Sequence, residues 1–358
     1  MAVIHLMKEY EGKPLETLRY NDFLAGKAST EYTWNGVEGI FLTAIRTPEM
    51  EDYNKGQNPV TGSRYGTPYE VEDDQQYLPL RKDRSKPLTV DKGNFREAKF
   101  QKTVGRVVKK FQNDRVVPEM VRYTMQEWAK NAGQYATITD ATDGQKVLFD
   151  LLQIEAMYTN AYIPQSNRFV AVDANLFPYI RSSLTQLDNI TDRMLFKGVV
   201  GRIGTLNIIE APHGDMPKDC YMLAWWLDAV LHPVTIKTLD VHETPEGMDG
   251  SLINYHVRYD AFVIGEYANG VIAVLDAGKR AAAIAASTAR VINPAGKTVK
   301  YTVDGSDPRY SASAVTLTGS SNITVPLTDA PVGSTIKTVV YDASKDYPSE
   351  VSSTVVAS

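Results

Sequence analysis

The amino-acid sequence changes character near residue 280, and this break limits the folds open to the chain more than any other feature. Residues 281–358 contain no Met, Trp, Phe or His, and 22 of these 78 positions are Ser or Thr. Short strand-like runs alternate there with turn signals such as Asp304-Gly305 and Pro331-Val-Gly333. Short strands at this spacing are typical of an all-β sandwich. We therefore predict a separate, small all-β domain over residues 281–358.

The composition of the whole chain excludes several classes of protein. Its 358 residues are 43% hydrophobic, which is enough for two or three domains with cores of their own. The formal net charge of -5 argues against a dedicated nucleic-acid binder. The single cysteine, Cys220, excludes an internal disulfide framework and any multi-cysteine metal site. The longest apolar run, near Tyr221–Val230, is far shorter than the ~20 residues of a membrane span, so we expect a soluble protein without an export signal.

Two segments before residue 94 lack the apolar content of a core. Residues 1–63 mix short apolar runs with turns, which fits an arm that wraps a neighbour or an ordinary surface segment. Residues 64–93 indicate a strand, a charged turn and a second strand with almost no apolar face. Because a lone two-stranded ribbon is marginal in water, this extended hairpin should lie on another surface. We predict contacts with a neighbouring subunit, with charge pairing inside the hairpin as the alternative, through Glu70, Glu72, Asp73, Asp74, Arg81, Lys82, Arg84 and Lys86.

The strongest helical signal follows this hairpin. Asn94 is a suitable N-cap, and Glu97 stands at the reciprocal position of a capping box. Pro118 suits a kink or the first turn of a second helical segment, and Gly133 a helix end. At 1.5 Å per residue the predicted rod is roughly 55 Å long. Its basic side chains, which would ordinarily be solvated, are Lys99, Arg106, Lys109 and Lys110.

Residues 140–280 show a mixed α/β pattern. Helices are predicted at 143–162 and 177–187, and strands at 168–172 and 204–209. Residues 252–264 alternate between apolar and polar side chains over long stretches. The Asn269-Gly270 step then predicts a hairpin that returns over residues 270–275.

No motif of catalytic or cofactor chemistry stands out in the sequence. The glycines of Gly198-Val-Val-Gly201-Arg-Ile-Gly204 lead into a strand rather than out of one, unlike a phosphate-binding loop. His213-Gly-Asp215 lies in a Pro/Gly loop, and the spacing of His232 and His242 matches no metal-ligand motif. We therefore predict no catalytic residue, no cofactor, no metal and no enzymatic activity.

The order of these parts resembles the major capsid protein of tailed bacteriophages, which has the Hong Kong 97-type shell fold. The resemblance covers roughly residues 1–278, and the segments that carry it are YEVEDDQQYLPLRKDRSKPLTVDKGN, VVPEMVRYTMQEWAKNAG, RFVAVDANLFPYI and HETPEGMDGSLINYHVRYDAFVIGEYANGVIAVLD. It implies an α+β fold with an N-terminal arm (1–63), an extended hairpin loop (64–93) and a spine helix with peripheral and apical domains (94–280).

The same resemblance implies the partners and the location. Pentamers and hexamers of the chain would assemble into an icosahedral shell around double-stranded DNA. The basic spine residues would face that DNA and contact it nonspecifically. Portal and scaffold proteins are further expected partners, and no membrane is expected. The protein would reside in the virion capsid after assembly in the host bacterial cytoplasm.

The C-terminal segment carries a second resemblance. The segments KYTVDGSDPRYSASAV and STIKTVVYDASKDYPSEVSS resemble the small immunoglobulin-like (Ig-like) module at the ends of chitobiase and hexosaminidase chains. Its recurring turn matches Tyr301, Asp304, Gly305, Asp307 and Pro308. Turn formation is the simplest role for the two aspartates, and calcium binding is the alternative. The resemblance implies a decoration domain on the shell's outer surface, with a glycan or cell-surface contact.

Two other functions compete with a phage capsid. An encapsulin-type nanocompartment would keep the shell fold and package enzymes instead of a genome. A secreted carbohydrate-binding protein is suggested by the C-terminal segment alone, in which four tyrosines could stack on a sugar. These are Tyr301, Tyr310, Tyr341 and Tyr347.

Overall fold

A computed structural model describes most of the chain as two compact units. Unit 1 comprises residues 1–38 and 79–280, and unit 2 comprises residues 39–78 and 281–358. The described residues are 22–32, 34, 38–47, 50, 52–56, 64–66, 72–91, 104–185, 201–243 and 250–357. Among them, no helix is both long and apolar enough to cross a membrane.

Unit 2 begins with a two-stranded ribbon. Strand β1 (Gly39–Arg46) pairs with β2 (Glu72–Pro79). The rings of Phe41 and Tyr77 lie 4.6 Å apart, and those of Tyr53 and Tyr65 lie 5.3 Å apart. Tyr53 lies twelve positions after Phe41, and its partner Tyr65 lies twelve positions before Tyr77. The two strands of the ribbon therefore run antiparallel, and both ring pairs fit the same register. We call β1, β2 and the paired segments 52–56 and 64–66 the ribbon.

The hairpin predicted over residues 64–93 is therefore wrong in its pairing. Strand β3 (Lys82–Asp91) begins just after β2 but pairs with β11 (Gly250–Tyr259), in a sheet that does not contain β2. The residues expected to form a charged turn, Arg81–Lys86, lead into and start β3. The reason is that β3 has an apolar face, on which Val90 is buried against Ile253. In the sequence this apolar face is hard to recognise, because most of the neighbouring residues are charged.

Unit 1 contains a three-stranded antiparallel sheet covered by a long helix. Strand β11 lies between β3 and β10 (Val234–Glu243). The alternation predicted for this region is present, since Ile253, Tyr255, Val257 and Tyr259 are all buried. They pack against side chains of the helix such as Val108 and Phe111. Segments α1 (Val104–Phe111) and α2 (Val117–Lys130) form this helix.

A π-helical turn joins the two helical segments. It spans Gln112–Val116, and the Val117 N–H donates to Gln112 O, five residues earlier. Pro118 follows at the start of α2, where it has no N–H to donate and its ring would crowd a normal helical turn. The wider π turn lets the helix continue past this proline. The predicted N-cap Asn94 and Glu97 lie outside the described residues.

The same helix reaches a second, six-stranded sheet. The order of its strands is β4-β13-β8-β5-β7-β6. They are β4 (Gln134–Thr137), β5 (Arg168–Asp173), β6 (Gly201–Ile203), β7 (Leu206–Ala211), β8 (Cys220–Trp226) and β13 (Val271–Leu275). Helix α2 packs on one face through Trp128, whose ring lies 5.4 Å from that of Trp225. Helices α3 (Gly144–Asn160) and α4 (Phe177–Thr185) bury their apolar residues on the other face.

The hairpin predicted at Asn269-Gly270 does not form. Residues Gly265–Gly270 make a 3-10 turn, and β13 pairs with β8 and β4 instead of the preceding strand. The short strand β12 (Phe262–Val263) pairs with β9 (Val230–Leu231). All five residues of β13 are buried. A strand buried on both faces belongs inside a sheet, which a terminal hairpin could not provide.

In the described part of residues 281–357 every regular element is a strand. A four-stranded sheet has the order β16-β15-β18-β19, and β14 pairs with β17. The strands are β14 (Val291–Ile292), β15 (Thr298–Thr302), β16 (Val315–Thr318), β17 (Ile323–Thr324), β18 (Thr335–Tyr341) and β19 (Ser352–Val355). Ile292, Val299, Val325 and Val340 meet in one core. We call residues 281–358 the C-terminal domain.

Candidate assembly surface

One face of the ribbon exposes large apolar side chains. Phe41 is 63% exposed, Ile45 66% and Tyr77 45%. Thr43 and Gln75 are further exposed positions of this face. A two-stranded ribbon has no second layer that could cover such a face. An exposed face with large apolar and aromatic side chains of this kind marks a surface for another protein.

Sequence reasoning missed this face because it expected the hairpin at 64–93. The signal was present in Gly39–Arg46, where Phe41, Thr43 and Ile45 alternate with the residues of the opposite face. Taken alone, this run is compatible with one strand or a short helix, and nothing near it in the sequence identifies a partner strand. Its partner lies more than thirty positions further along the chain, and local patterns do not reveal pairing at that separation.

The predicted hairpin-tip residue Arg81 has its partners within the chain. Its backbone N–H donates to Asp260 Oδ2 at 2.8 Å, and its Nε donates to the same oxygen at 3.2 Å. Its Nη2 lies 3.2 Å from Glu127 Oε2. The Tyr123 hydroxyl donates to Asp260 Oδ1 at 2.8 Å. Burial and this hydrogen bond raise the pKa of Tyr123 well above its usual range.

Arg84 and Lys82 also contact groups of their own chain. Arg84 Nε lies 2.7 Å from Glu119 Oε1, which also accepts a hydrogen bond from the Tyr259 hydroxyl. Lys82 Nζ lies 4.8 Å from the centre of the Tyr123 ring. These basic groups therefore join β3 to α2 and β11, and Arg81 does not stand at a free hairpin tip.

The remaining predicted contact residues are placed only in part. Lys86 is exposed on β3. Glu72, Asp73 and Asp74 lie on β2, so they belong to the ribbon. Glu70 lies outside the described residues. A role for these residues between subunits stays a prediction.

Three of the predicted basic spine residues share the exposed side of α1. Arg106, Lys109 and Lys110 are exposed there, whereas Val108 faces the three-stranded sheet. Lys99 lies outside the described residues. The helix therefore carries a short row of three cations on its open side.

The turn motif of the C-terminal domain uses its carboxylates locally. Asp304 Oδ1 accepts from the Ser306 N–H at 2.9 Å, and Asp307 Oδ2 lies 2.7 Å from Arg309 Nη2. Gly305 has a φ of 77°, a left-handed conformation that favours glycine. Within the described ranges, no group of three or more His, Cys, Asp or Glu side chains could hold a metal. This arrangement favours turn formation over the calcium alternative.

We therefore expect no calcium dependence of stability. Addition of CaCl2 or EDTA should change the unfolding temperature of the full chain by less than ~1 °C, because a ligand that binds only the folded state would raise it. Differential scanning calorimetry at both conditions measures this. A clear calcium-dependent increase would restore the calcium interpretation of Asp304 and Asp307.

Two of the four tyrosines proposed to stack on a sugar are internal. Tyr301 and Tyr347 are buried, and Tyr301 belongs to the core of the domain. Tyr341 packs beneath Lys300, and Tyr310 lies against the Arg309 guanidinium. The predicted aromatic platform is therefore wrong for Tyr301 and Tyr347.

Two of the histidines considered as candidate ligands, His213 and His232, have partners within the chain. His213 Nδ1 lies 2.5 Å from Oδ2 of the buried Asp173. Thr124 Oγ1 and His232 Nδ1 lie 2.8 Å apart.

Burial raises the pKa of Cys220 to about 12, so this thiol stays protonated and unreactive at neutral pH.

The comparisons with known proteins found similarity only at the level of structure. No protein-family profile and no curated protein sequence matches the chain. A structure from Mycobacterium phage Che8 matches with a TM-score of 0.60 at 15% identity, covering 76% of this chain and 97% of that chain. The capsid of Cyanophage P-SCSP1u matches with a TM-score of 0.59 at 11% identity, covering 76% and 93%. The chain has a phage capsid fold.

A third structure supports this assignment of the fold. The mature capsid of bacteriophage PhiM1 matches with a TM-score of 0.55 at 13% identity, covering 77% of this chain and 93% of that chain. Nearly the whole length of each of the three matched chains is thus covered, whereas about a quarter of this chain has no counterpart in them. The capsid fold therefore accounts for most of the chain but not all of it.

Proposed function

We propose that the chain is the major capsid protein of a tailed phage and assembles into an icosahedral shell around double-stranded DNA. The exposed apolar and aromatic face of the ribbon, carried on a phage capsid fold, is the observation that supports this function. Such a face is unfavourable in water and becomes favourable when another copy of the chain covers it. The role is structural and non-enzymatic.

We further propose how the parts of the shell protein are divided. The chain would have the Hong Kong 97-type organisation, in which the ribbon takes the role assigned above to the hairpin 64–93 and lies over a neighbouring subunit. The long helix α1–α2 would be the spine, and the six-stranded sheet with α3 and α4 the apical domain. The unmatched quarter of the chain agrees in size with the C-terminal domain, which would be an Ig-like decoration. Portal and scaffold proteins would be further partners.

Electron microscopy of the purified chain tests this function directly. Negative-stain images and sedimentation velocity should show closed particles or rings of five and six subunits. A chain that stays monomeric near 39.7 kDa at all concentrations, also when coexpressed with its neighbouring genes, would contradict it. An encapsulin-type compartment would contain enzymes, so the protein and nucleic-acid content of particles from the native source separates the two shells.

We also propose that the cationic row on α1 contacts the packaged DNA. Replacing Arg106, Lys109 and Lys110 with glutamine should weaken the DNA affinity of assembled particles without affecting assembly. Each lost phosphate contact lowers the salt dependence of log K by about 0.9, so the triple variant should lose a slope of about 2–3.

Salt-dependent DNA binding by opened particles provides the measurement. A control variant replaces three exposed cations elsewhere, Arg181, Arg202 and Lys345, with glutamine. It has the same net charge as the α1 variant and should keep the wild-type slope. Equal slopes for the two variants would mean that α1 does not face the DNA.

A further inference from the structure

The outer edge of ribbon strand β2 contacts the C-terminal domain within unit 2. The backbone N–H of Ala312 donates to the backbone O of Gln75 at 3.2 Å. Among the described strands, β1 is the sole partner of β2, so Gln75 O lies on an edge that the loop of the C-terminal domain reaches. This contact joins two parts of the chain that are more than 230 residues apart.

The turn motif at Tyr301–Pro308 builds the loop that carries Ala312. Asp304 Oδ1 accepts from the N–H and the hydroxyl of Ser306, at 2.9 and 2.5 Å. Its Oδ2 accepts from the Ser313 hydroxyl at 3.1 Å. One carboxylate thus ties the start of the motif to the residue directly after Ala312. The N–H of Ser311, directly before Ala312, donates to Asp307 O at 3.0 Å.

The loop is also anchored in the domain itself. The buried hydroxyl of Thr302, at the end of β15, donates to Ser306 O at 2.6 Å. Thr302 and Ser306 are both buried. Hydrogen bonds among buried groups are costly to break, so they hold the loop in one conformation.

The contact leaves the apolar face of the ribbon open. Phe41 and Tyr77 remain 63% and 45% exposed with the C-terminal domain in place. The loop touches a backbone carbonyl at the strand edge, whereas these side chains stand on the face of the strand. The C-terminal domain can therefore stay bound to the edge of β2 while another subunit covers the apolar face of the ribbon.

We propose that the C-terminal domain is a brace that binds the edge of β2 and holds the ribbon in an ordered orientation before assembly. The aspartates of the turn motif build the binding loop. The consequence for assembly rests on the proposed shell function. An already ordered ribbon loses less conformational entropy when it covers a neighbour, so the brace favours association.

Hydrogen exchange measured by mass spectrometry on the full, unassembled chain tests the brace. Asp304→Ala should speed amide exchange about three- to tenfold in peptides covering residues 72–79 and 307–314, since the bond to Gln75 is weakened. Asp342→Ala is the matched control. Asp342 Oδ1 accepts from the N–H and the hydroxyl of Ser344, at 2.9 and 2.7 Å, in a turn of the same kind remote in sequence from the loop.

The outcomes separate the brace from the shell function. Faster exchange over 72–79 for Asp304→Ala, and wild-type exchange there for Asp342→Ala, supports the brace. Equal exchange over 72–79 in wild type and both variants overturns it, whether or not shells form. If the wild type forms no particles, the shell function fails, while the exchange result still decides on the brace.

A second pair of variants covers the case in which Asp304→Ala unfolds the domain. Ala312→Pro removes the N–H donor itself, and Ala312→Ser keeps it. Residues 72–79 should exchange faster only in the proline variant. If both variants exchange like the wild type over this stretch, the contact with Gln75 does not order the ribbon and the proposal is wrong.

Discussion

Replacing Phe41 and Ile45 together with serine is expected to abolish particle formation while leaving the subunit folded. Both side chains are mostly exposed in the single chain, so their loss removes little of its stability. Covering two such side chains contributes about 3–6 kcal/mol per contact. The concentration needed for assembly should therefore rise by about 100-fold or more. Every subunit of a closed shell repeats the contact, so the substitution weakens every such contact in the lattice.

Sedimentation velocity over a range of concentrations, with electron microscopy of the same samples, measures this effect. The control is Leu327→Ser with Val332→Ser, which removes two side chains that are 55% and 58% exposed in the C-terminal domain. The control should assemble like the wild type, and circular dichroism should show both variants folded. Normal particles from the ribbon variant at wild-type concentration would rule out its apolar face as the assembly contact.

Replacing Asp260 with alanine is expected to destabilise the subunit by about 2–4 kcal/mol, because it removes the shared acceptor of several hydrogen bonds at a fully buried position. Asp260 is fully buried and accepts from Arg81, from the Tyr123 hydroxyl and from the Ala261 N–H. The substitution leaves these donors without their acceptor. Arg81→Glu should be destabilising as well, because it places a carboxylate beside the buried Asp260.

Urea unfolding of the full chain measures the change in the free energy of unfolding. The matched control is Asp215→Ala, which breaks another pair between an aspartate and an arginine, 2.8 Å from Arg122 Nε on α2. The Asp215 side chain is 17% exposed, whereas that of Asp260 is 0% exposed, so water reaches Asp215 and this loss should cost at most about 1 kcal/mol. Similar decreases in the free energy of unfolding for the two variants would mean that burial does not determine how much the hydrogen bonds of Asp260 stabilise the subunit.

The contacts of Arg81 with Asp260 change what a charge-reversal variant at the β2–β3 junction would measure. From the sequence, reversing Arg81, Lys82 and Arg84 to glutamate should block assembly and leave the subunit folded. The structure places Arg81 on Asp260 and Arg84 on Glu119, so the same variant should lose stability before assembly is tested. The ribbon variants are therefore the cleaner test of assembly.

Local patterns in the sequence determined several parts of this protein. The composition and turn signals after residue 280 predicted a small all-β domain, and every regular element in the described part of the C-terminal domain is a strand. The helical spacing before and after Pro118 predicted a long, interrupted helix, which is present from Val104 to Lys130. The Asp304-Gly305 turn formed as expected. Each of these features depends on interactions between residues a few positions apart, so their signals lie within one short window.

Only the tertiary structure decided which strands pair. Strand β2 lies directly before β3 in the chain, yet β2 joins the distant β1 and β3 joins β11. Likewise β13 joins β8 and β4 rather than its predecessor. The fate of Arg81 depended on Asp260, which is 179 positions away. Alternation of apolar and polar residues shows that a strand needs a partner but does not identify the partner. Backbone hydrogen bonds are alike for all strands. Pairing is therefore decided by which apolar faces can be buried together.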